Sequence, residues 1–492
     1  NEHDNGYGSN QTFYFDARLD YSRTFGYHGV SGMLMYMQRE YRSSVLPERN
    51  QGFSGRFTYD YGQRYLVELN FGYNGTERLG KKERFEFFPA VSLGWVISNE
   101  KFFEPMTKYI DNLKIRGSYG LVGSDETGLS AGAQHFLYID QVSLNNIGFT
   151  TGVDMNYTLY GPLVTNYAVV NGGWERVKKL DIGIDLELFR QLTITADYFN
   201  EKRYNILLHR EAWPESLGYY TAKPWSNKGK VDNWGIELSV NWRKEFTKDL
   251  YVDFRGNFTY TENKYVNLDE PVYPYVWKTS TGKPLSRTTG YIAQGLFSSQ
   301  EEIDNSPTQN LGSTVKPGDI KYRDVNGDGK IDGSDQVMIS PYGTTPRIQY
   351  GLGMNVTYKK FDFGVFFNGS AKRTIMISGI SPFGQSDYNV MQFIADDYWS
   401  ESNPNPNAKY PRLGLTSSQT ANNTVASTYW MRNGNFIRFK TLELGYKFKY
   451  GRVYLNGDNI AVFSPFKLWD PELSWNAYPL QRTFNIGVQL NF

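Results

Sequence analysis

The sequence contains no cysteine in 492 residues and no apolar run of about 18 residues, the length that a membrane-spanning helix needs. The missing run excludes a transmembrane helix, and a mean hydropathy of -0.54 with 40% hydrophobic residues is too polar for a helical membrane protein. The lack of cysteine fits an oxidising envelope compartment, where stray thiols are a hazard.

Residues that would indicate catalysis are also scarce. The four histidines do not have the spacing of metal ligands: His3, His28, His135 and His209. The sequence has no nucleophile elbow, no Gly-rich phosphate loop and no His-Glu-x-x-His motif. The adjacent acids Asp396 and Asp397 are typical of a solvated loop. A net charge of +1 gives no reason to expect a nucleic-acid partner. The sequence therefore does not favour an enzyme.

What the sequence does have is a strict alternation of apolar and polar residues. The last segment shows it, with Phe484, Ile486, Val488, Leu490 and Phe492 interleaved with Asn485, Gly487, Gln489 and Asn491. Side chains on a strand point alternately to opposite faces, so each segment has one apolar and one polar face. In a lipid-embedded barrel these faces meet lipid and line the lumen, and aromatic girdles account for an aromatic content of 16%. The pattern predicts an all-β, antiparallel transmembrane β-barrel with long extracellular loops.

Fifteen strands are predicted from this alternation. They lie near residues 11–24, 27–41, 51–61, 64–75, 84–98, 111–124, 174–188, 191–207, 231–245, 249–263, 345–358, 360–374, 432–448, 450–463 and 480–492. Their connections alternate between short and long, and the long ones are 125–173, 208–230, 264–344 and 375–431. Since outer-membrane barrels have short periplasmic turns and long outer loops, we expect these four to be extracellular.

The odd number of strands has a consequence for closure of the barrel. A closed barrel made from one bacterial chain has an even number of strands, and an open edge in lipid leaves unpaired backbone groups. We therefore expect the chain to be the C-terminal part of a larger barrel, with residues 1–10 on the extracellular side. The first strand, near 12–23, and the last, 480–492, are expected not to pair with each other.

Several motifs carry a family resemblance, in this order along the chain. They are Phe88-Pro89-Ala90-Val91-Ser92-Leu93-Gly94-Trp95, Asn112-Leu113-Lys114-Ile115-Arg116-Gly117-Ser118-Tyr119-Gly120, Trp174-Glu175, the run 229–238, Gly295-Leu296-Phe297, Lys316-Pro317-Gly318-Asp319-Ile320, the acidic loop from Asp324, the run 435–446, and Asp470-Pro471-Glu472. Because these motifs occur in this order, nearly the whole chain resembles the C-terminal part of a SusC/RagA-type TonB-dependent transporter.

The resemblance implies a barrel of 22 strands in all, of which about seven belong to an N-terminal part. It also implies that the plug domain and the segment contacting TonB lie in that part, since nothing in these residues resembles them. The function implied is active import of oligosaccharides or peptides across the outer membrane of a Gram-negative bacterium. The implied partners are a SusD-like surface lipoprotein, TonB, the N-terminal strands and plug, and outer-membrane lipid.

An acidic motif in the long connection 264–344 suggests a bound cation. Over residues 324–335, oxygen-bearing side chains fall at calcium-ligand spacing, with the backbone carbonyl of Lys330 as a further ligand: Asp324, Asn326, Asp328, Asp332 and Asp335. Asp335 stands where a bidentate Glu is usual. An ion here would rigidify the loop. The alternative is a turn rich in Asn, Gly and Asp that holds no ion.

Aromatic residues in or beside the long connections are candidate platforms for sugar rings or peptide side chains. The candidates are Trp213, Tyr219, Tyr220, Trp225, Trp277, Trp399 and Trp430, with Tyr273, Tyr275, Tyr398 and Tyr429 nearby. The alternative for each is packing inside a loop or an interface girdle.

Two other functions are considered beside the importer. One is a secreted all-β protein that binds or degrades glycans and carries a dockerin-like calcium loop. A dockerin needs two such loops, and the sequence has one. The other is a passive porin, which differs from an importer in having no plug.

Overall fold

The computed structural model describes residues 10–42, 47–126, 137–169, 172–214, 216, 223–377, 390–414, 416–473 and 477–491. Fifteen strands form one large antiparallel sheet in chain order. They are β1 (Gln11–Phe25), β2 (His28–Arg42), β3 (Glu48–Tyr61), β4 (Tyr65–Thr76), β5 (Phe85–Val96), β6 (Ile110–Ser124), β7 (Glu175–Leu188), β8 (Leu192–His209), β9 (Trp225–Thr247), β10 (Leu250–Asn267), β11 (Ile348–Tyr358), β12 (Phe361–Ala371), β13 (Phe436–Phe448), β14 (Gly451–Phe463) and β15 (Thr483–Leu490).

The fold class and all fifteen predicted strands are confirmed. The boundaries differ most at β9, which begins at Trp225 rather than at 231. The backbone ladder continues there through Ser226 to Lys230, where apolar and polar residues do not alternate, because ladder hydrogen bonds do not depend on side-chain polarity. Within the described residues β1 and β15 stand at the two ends of the strand order and do not pair with each other, as predicted.

Short and long connections alternate along the sheet. The turn between β3 and β4 is tight because Gly62 and Gln63 both have positive φ angles, +58° and +54°, as a two-residue hairpin turn requires. The longest connections, 125–174, 268–347 and 372–435, leave the sheet on the opposite side from these turns. In the described part of the chain, no helix is long and apolar enough to cross a membrane.

The long connections contain short elements that the alternation did not predict. Small two-stranded sheets pair Gln141–Thr151 with Tyr157–Asn166, Thr288–Gly290 with Val337–Ser340, Ala293–Leu296 with Ile320–Tyr322, Thr308–Gln309 with Lys330–Ile331, and Thr374–Met376 with Met431–Asn433. Among the described residues, the long connections have the helices α1 (Gln300–Asp304), α2 (Gln392–Ala395) and α3 (Ser417–Thr424) and the 3-10 turns Val276–Lys278 and Gly333–Asp335. Two further 3-10 turns, Ile97–Asn99 and Lys101–Met106, lie between β5 and β6.

The chain forms two compact units. One contains Asn1–Ser239 and Glu262–Val272, and the other contains Val240–Thr261 and Tyr273–Phe492. In the first unit, a small apolar cluster is made by Leu79, Phe88 and Trp174, with the Phe88 and Trp174 rings in edge contact at 5.3 Å. In the second unit, a much larger cluster lies entirely in the long connections and at their junctions with the sheet.

Candidate functional site

The two faces of the sheet can be assigned from the strand register, because directly opposed residues point to the same side. Between β11 and β12, one face has the opposed pairs Leu352–Phe367, Met354–Val365 and Val356–Phe363, and the other has Gly353–Phe366 and Asn355–Gly364. β10 continues the first surface with Val252 and Phe254, opposite Val356 and Met354. We call the two surfaces the apolar face and the polar face.

In the first unit, polar residues of β6, β7 and β8 form ion pairs between neighbouring strands. Arg116 in β6 lies 3.1 Å from Asp181 and 3.3 Å from Asp185 in β7, and it also pairs with Asp197 in β8. Each of these groups is partly exposed, so a single pair contributes roughly 0–1 kcal/mol. The arrangement fixes charged groups along the wall that the sequence assigned to the lumen.

In the second unit, Arg452 in β14 holds a similar position. Its guanidinium pairs with Asp362 in β12 and Glu443 in β13, which places three strands under one cation.

A buried apolar cluster joins the long connections of the second unit, and we call it the loop core. Its buried members are Tyr291, Leu296, Ile320, Tyr322, Ile331, Ile375, Ile377, Ile394, Trp399, Ala408, Tyr410, Trp430 and Phe466. These residues come from 268–347, 372–435 and 464–482, so three connections share one interior.

Two adjacent asparagines of α3 hold the loop core together with hydrogen bonds. Asn422 and Gln309 each donate a side-chain amide to the carbonyl of Ile320 at 2.9 Å. The Ile320 amide in turn donates to Asn423 Oδ1 at 2.9 Å. Both asparagines are fully buried, so their amides replace hydrogen bonds that water would otherwise make.

Asp319 is the charged member of this network. Its carboxylate lies 2.7 Å from Arg412 Nε and accepts a hydrogen bond from Asn423 Nδ2 at 2.8 Å. The side chain is fully buried, and this burial raises the pKa of Asp319 above its ordinary value. A buried pair of this kind favours one arrangement of the two connections, because a shifted register would leave a charge without its partner.

The acidic loop 324–335 is a set of hydrogen-bonded turns. Asp324 accepts from the backbone amides of Gly327 and Gly329 at 2.7 and 2.9 Å, and both glycines have the positive φ that these turns need. At the other end, Asp332 and Asp335 form a reciprocal capping box over the turn Gly333–Asp335. Hydrogen bonds from Ser334 hold the pKa of Asp332 below its ordinary value.

In the described part of the chain, no group of three or more His, Cys, Asp or Glu side chains is placed to hold a metal ion together. The predicted calcium ligands therefore stay a prediction: Asp324, Asn326, Asp328, Lys330, Asp332 and Asp335.

Two aromatic rings rest on the acidic loop. Tyr275 and Trp277 stack with centroids 4.7 Å apart, and Trp277 Nε1 donates to the carbonyl of Ser334 at 2.8 Å. The Tyr275 hydroxyl accepts from the Asn326 amide at 3.1 Å. The acidic loop thus fixes the orientation of Trp277, one of the predicted platform residues.

The other predicted platform residues have different surroundings. Trp399 and Trp430 are only 6% and 1% exposed and belong to the loop core, so packing inside a loop, the alternative interpretation, describes them here. Trp213 and Trp225 are half-buried beside Arg210 and His209 respectively. Tyr219 and Tyr220 lie outside the described residues.

Sequence reasoning did not identify the junction around Arg438. This side chain at the start of β13 is 2% exposed and donates to both oxygens of Asp470, at 2.7 and 2.8 Å. It also pairs with Glu472, and Arg373 donates to the carbonyl of Pro471. The only signal was the motif Asp470-Pro471-Glu472, which gave no indication of a buried cation. The junction fixes the connection 464–482 against β12 and β13.

Comparisons with known proteins agree with this geometry. A family model described as TonB dependent receptor-like, beta-barrel matches residues 1–460. The TonB-dependent receptor SusC of Bacteroides thetaiotaomicron is 27% identical over 469 residues, which cover 89% of this chain and 43% of that protein. TonB-dependent receptor P3 of Formosa agariphila is 25% identical, over 98% of this chain and 49% of its own length. The chain thus spans about half the length of these relatives.

Among solved structures, the RagAB peptide transporter has a similar fold. Its TM-score is 0.72 at 18% sequence identity, and the match covers 98% of this chain and 55% of that one. The RagAB peptide importer in an open-open state gives a TM-score of 0.71.

Proposed function

Since this chain belongs to the family of TonB-dependent receptor-like β-barrels, we propose that it is the C-terminal part of the wall of an importer of oligosaccharides or peptides driven through TonB. Barrels of this family lie in the outer membrane of Gram-negative bacteria, and the family consists of transporters and receptors rather than enzymes. The observation that carries the proposal is a fifteen-stranded antiparallel sheet with one apolar and one polar face.

The ends of the sheet support a larger barrel. Within the part of the chain that the structure describes, β1 and β15 each have a neighbour on one side only. An unpaired strand edge in lipid costs several kcal/mol for each unsatisfied backbone group. We propose that residues N-terminal to Asn1 contribute a plug and further strands, and that these strands pair with both edges. Cysteine pairs placed in β1 and in the preceding segment of the complete protein should cross-link. Cross-linking of β1 to β15 instead would contradict this arrangement.

The proposed partner on the cell surface is a SusD-like lipoprotein that covers the outer loops. The hairpin 141–166 supports a protein partner, because Asp154 is its only charged residue. Leu144, Phe149 and Val153 of this hairpin are strongly exposed, and exposed apolar clusters on loops are typical of interaction sites. Ser at these three positions should reduce copurification of the lipoprotein, whereas Ser at the similarly exposed Tyr478 is the control.

Import is tested with the complete transporter in its native outer membrane. We expect deletion of the transporter to abolish growth on one polymeric nutrient, and the intact protein to restore growth only in cells with functional TonB. Restoration without TonB would favour a passive pore.

We also propose that the acidic loop binds calcium, on the strength of its ligand spacing. The hydrogen bonds from the backbone amides of Gly327 and Gly329 support this proposal, because they fix the Asp324 carboxylate at the start of the loop. Calcium should slow hydrogen exchange over 324–335 in the wild type but not in Asp324→Ala/Asp328→Ala. An equal rate with calcium and with a chelator would leave the hydrogen-bonded turn as the full description of this loop.

A further inference from the structure

One apolar residue of β12 lies on the polar face. Phe361, Phe363, Val365 and Phe367 point to the apolar face, and the residues between them point to the polar face: Asp362, Gly364, Phe366 and Asn368. Phe366 is therefore a large apolar side chain on the polar face, and 36% of it is exposed. An exposed aromatic ring on a polar wall has an unfavourable contact with water unless a ligand or another segment covers it.

Two glycines place this ring flat on the sheet. A methyl group added at Gly351 or at Gly353 would lie 3.3 Å from ring carbons of Phe366, which is tighter than ordinary contact. The ring thus lies against the backbone of β11, where an added side chain would press on it. One face of the ring packs on β11, and the other is left for the open side of the wall.

Uncharged hydrogen-bonding groups line the same groove as the ring. Thr441 in β13 is opposed to Phe366, and Asn257, Asn355, Asn456 and Asn485 also line this groove of about 1330 Å³. Each Asn amide offers two donors and an acceptor, and each hydroxyl offers both. Asn485 Nδ2 donates to Asn456 Oδ1 at 3.0 Å, which orients both amides.

The groove also has charged lining residues, and one of them, Arg255, is opposed to Gly353, the residue opposite Phe366. The charged lining residues are Arg255, Asp362, Glu443 and Asp458. Two of them, Asp362 and Glu443, are already paired with Arg452.

We propose that this surface is a binding site for one ring of a neutral oligosaccharide, and we call it the Phe366 platform. A sugar ring has an apolar C–H face that packs on a flat aromatic ring, and hydroxyls at its edge that match amides able to donate and to accept. We assign the platform to a sugar rather than to a peptide side chain because the uncharged amides of the groove match the many hydroxyls of a sugar. The proposal rests on the proposed importer, since it places the site on the wall facing the transported solute.

The first test measures binding to the complete, purified transporter. The probes are maltohexaose, laminarihexaose, xylohexaose and mannohexaose, with a pool of uncharged pentapeptides as the competing class. We expect the wild type to bind at least one hexasaccharide, and Phe366→Leu to weaken this binding about tenfold, which corresponds to about 1.4 kcal/mol. Phe366→Trp keeps a flat ring and should bind within about threefold of the wild type.

The matched control is Phe367→Leu, the same substitution at the adjacent residue, which points to the apolar face and does not line the groove, so binding should be unchanged. The platform is refuted if Phe366→Leu binds the sugars as the wild type does, or if no hexasaccharide binds. Loss of pentapeptide binding in Phe366→Leu would also refute it, because the site would then take peptides. An uptake assay distinguishes failure of the platform from failure of the importer. If the Phe366→Leu transporter imports its substrate normally, only the platform is disproved.

A second test uses the absence of cysteine from this sequence. Phe366→Cys in the complete transporter should react with a hydrophilic maleimide, and a bound hexasaccharide should slow the reaction, as read by mass spectrometry of the peptide. Phe367→Cys, facing lipid, should not react. If Phe366→Cys is also unreactive, a protein segment covers the ring and the platform does not exist.

Discussion

The sheet and the loop core handle polarity in opposite ways. In the sheet, apolar side chains are exposed, with Leu19 at 69% and Ile486 at 80%. In the loop core, by contrast, Asp319, Asn422 and Asn423 are fully buried. The difference follows from the solvent of each region, because lipid accepts exposed apolar groups whereas loops in water must bury them.

A change in side-chain polarity should therefore destabilise the two regions for different reasons. A polar group introduced on the apolar face of the sheet is penalised by transfer into lipid, and the penalty depends on depth. A polar group removed from the loop core leaves its partners without hydrogen bonds, and that penalty depends on the number of partners. Four measurements test this distinction, beginning with the largest expected effect.

Removal of the largest buried ring should weaken the loop core most. Trp430→Ala deletes a side chain that is 1% exposed and the hydrogen bond from its Nε1 to the carbonyl of Asn423 at 2.6 Å. We expect a loss of about 3–5 kcal/mol in local stability, measured by hydrogen exchange over 317–323 and 420–433. The control Val276→Ala, at a position 85% exposed, should change exchange by about 0.5 kcal/mol or less. Equal effects of the two variants would mean that the core does not stabilise the loops.

Arginine substitutions on the two faces of β10 should distinguish the face in contact with lipid from the face that lines the lumen. Phe254 is opposite Met354 on the apolar face, and Thr259 is opposite Gln349 on the polar face. Phe254→Arg should cost about 2–4 kcal/mol near the bilayer midplane, and Thr259→Arg should be mild. Unfolding midpoints in urea, measured in lipid vesicles, give the comparison. Similar midpoints for the two variants would show that the face assignment of β10 is wrong.

Loss of one buried amide should have an intermediate effect. Asn423→Ala removes the acceptor of the Ile320 amide and a donor to Asp319, which stay buried. We expect about 1–3 kcal/mol of local destabilisation, by hydrogen exchange of 317–323. Asn310→Ala, at an exposed amide, is the control and should have little effect. An unchanged exchange rate in Asn423→Ala would mean that water replaces the lost hydrogen bonds.

The smallest effect should be a pH dependence of the acidic loop. Because the folded pKa of Asp332 is lowered by hydrogen bonds from Ser334, its stabilising contribution is present above the unfolded pKa of about 3.9. That contribution is lost as the pH falls through the folded pKa. Exchange of the Ser334 amide, corrected for its intrinsic rate, should accelerate below pH 4 in the wild type. Asp332→Asn retains a capping side chain and should show no such acceleration.

The sheet could be predicted from sequence because its signal is local. A period of two is set by the strand itself, so residues such as Ile184 and Leu186 reveal their face without knowledge of their neighbours. The loop core could not be predicted in this way. Trp399 and Trp430 have the same chemistry as an exposed platform, and only contacts with distant segments decide that they are buried. Arg438 is a similar case, because its buried position depends on Asp470 and Glu472 from another connection.

Sequence distance in the loop core has a consequence for the order of assembly. The Tyr322 hydroxyl donates a hydrogen bond to the carbonyl of Asn422, and Asn423 Nδ2 donates one to Asp319. Each bond joins residues that are about one hundred positions apart in the sequence. β11 and β12 lie within that interval and are joined by a two-residue turn, so their pairing brings the ends of both connections together. Closing so long a loop in an unpaired chain carries a large entropic cost, which favours formation of the hairpin before the core. A barrel in which this hairpin has not yet inserted would expose Trp399 and Trp430, so incomplete molecules carry an apolar surface that marks them for chaperones and proteases.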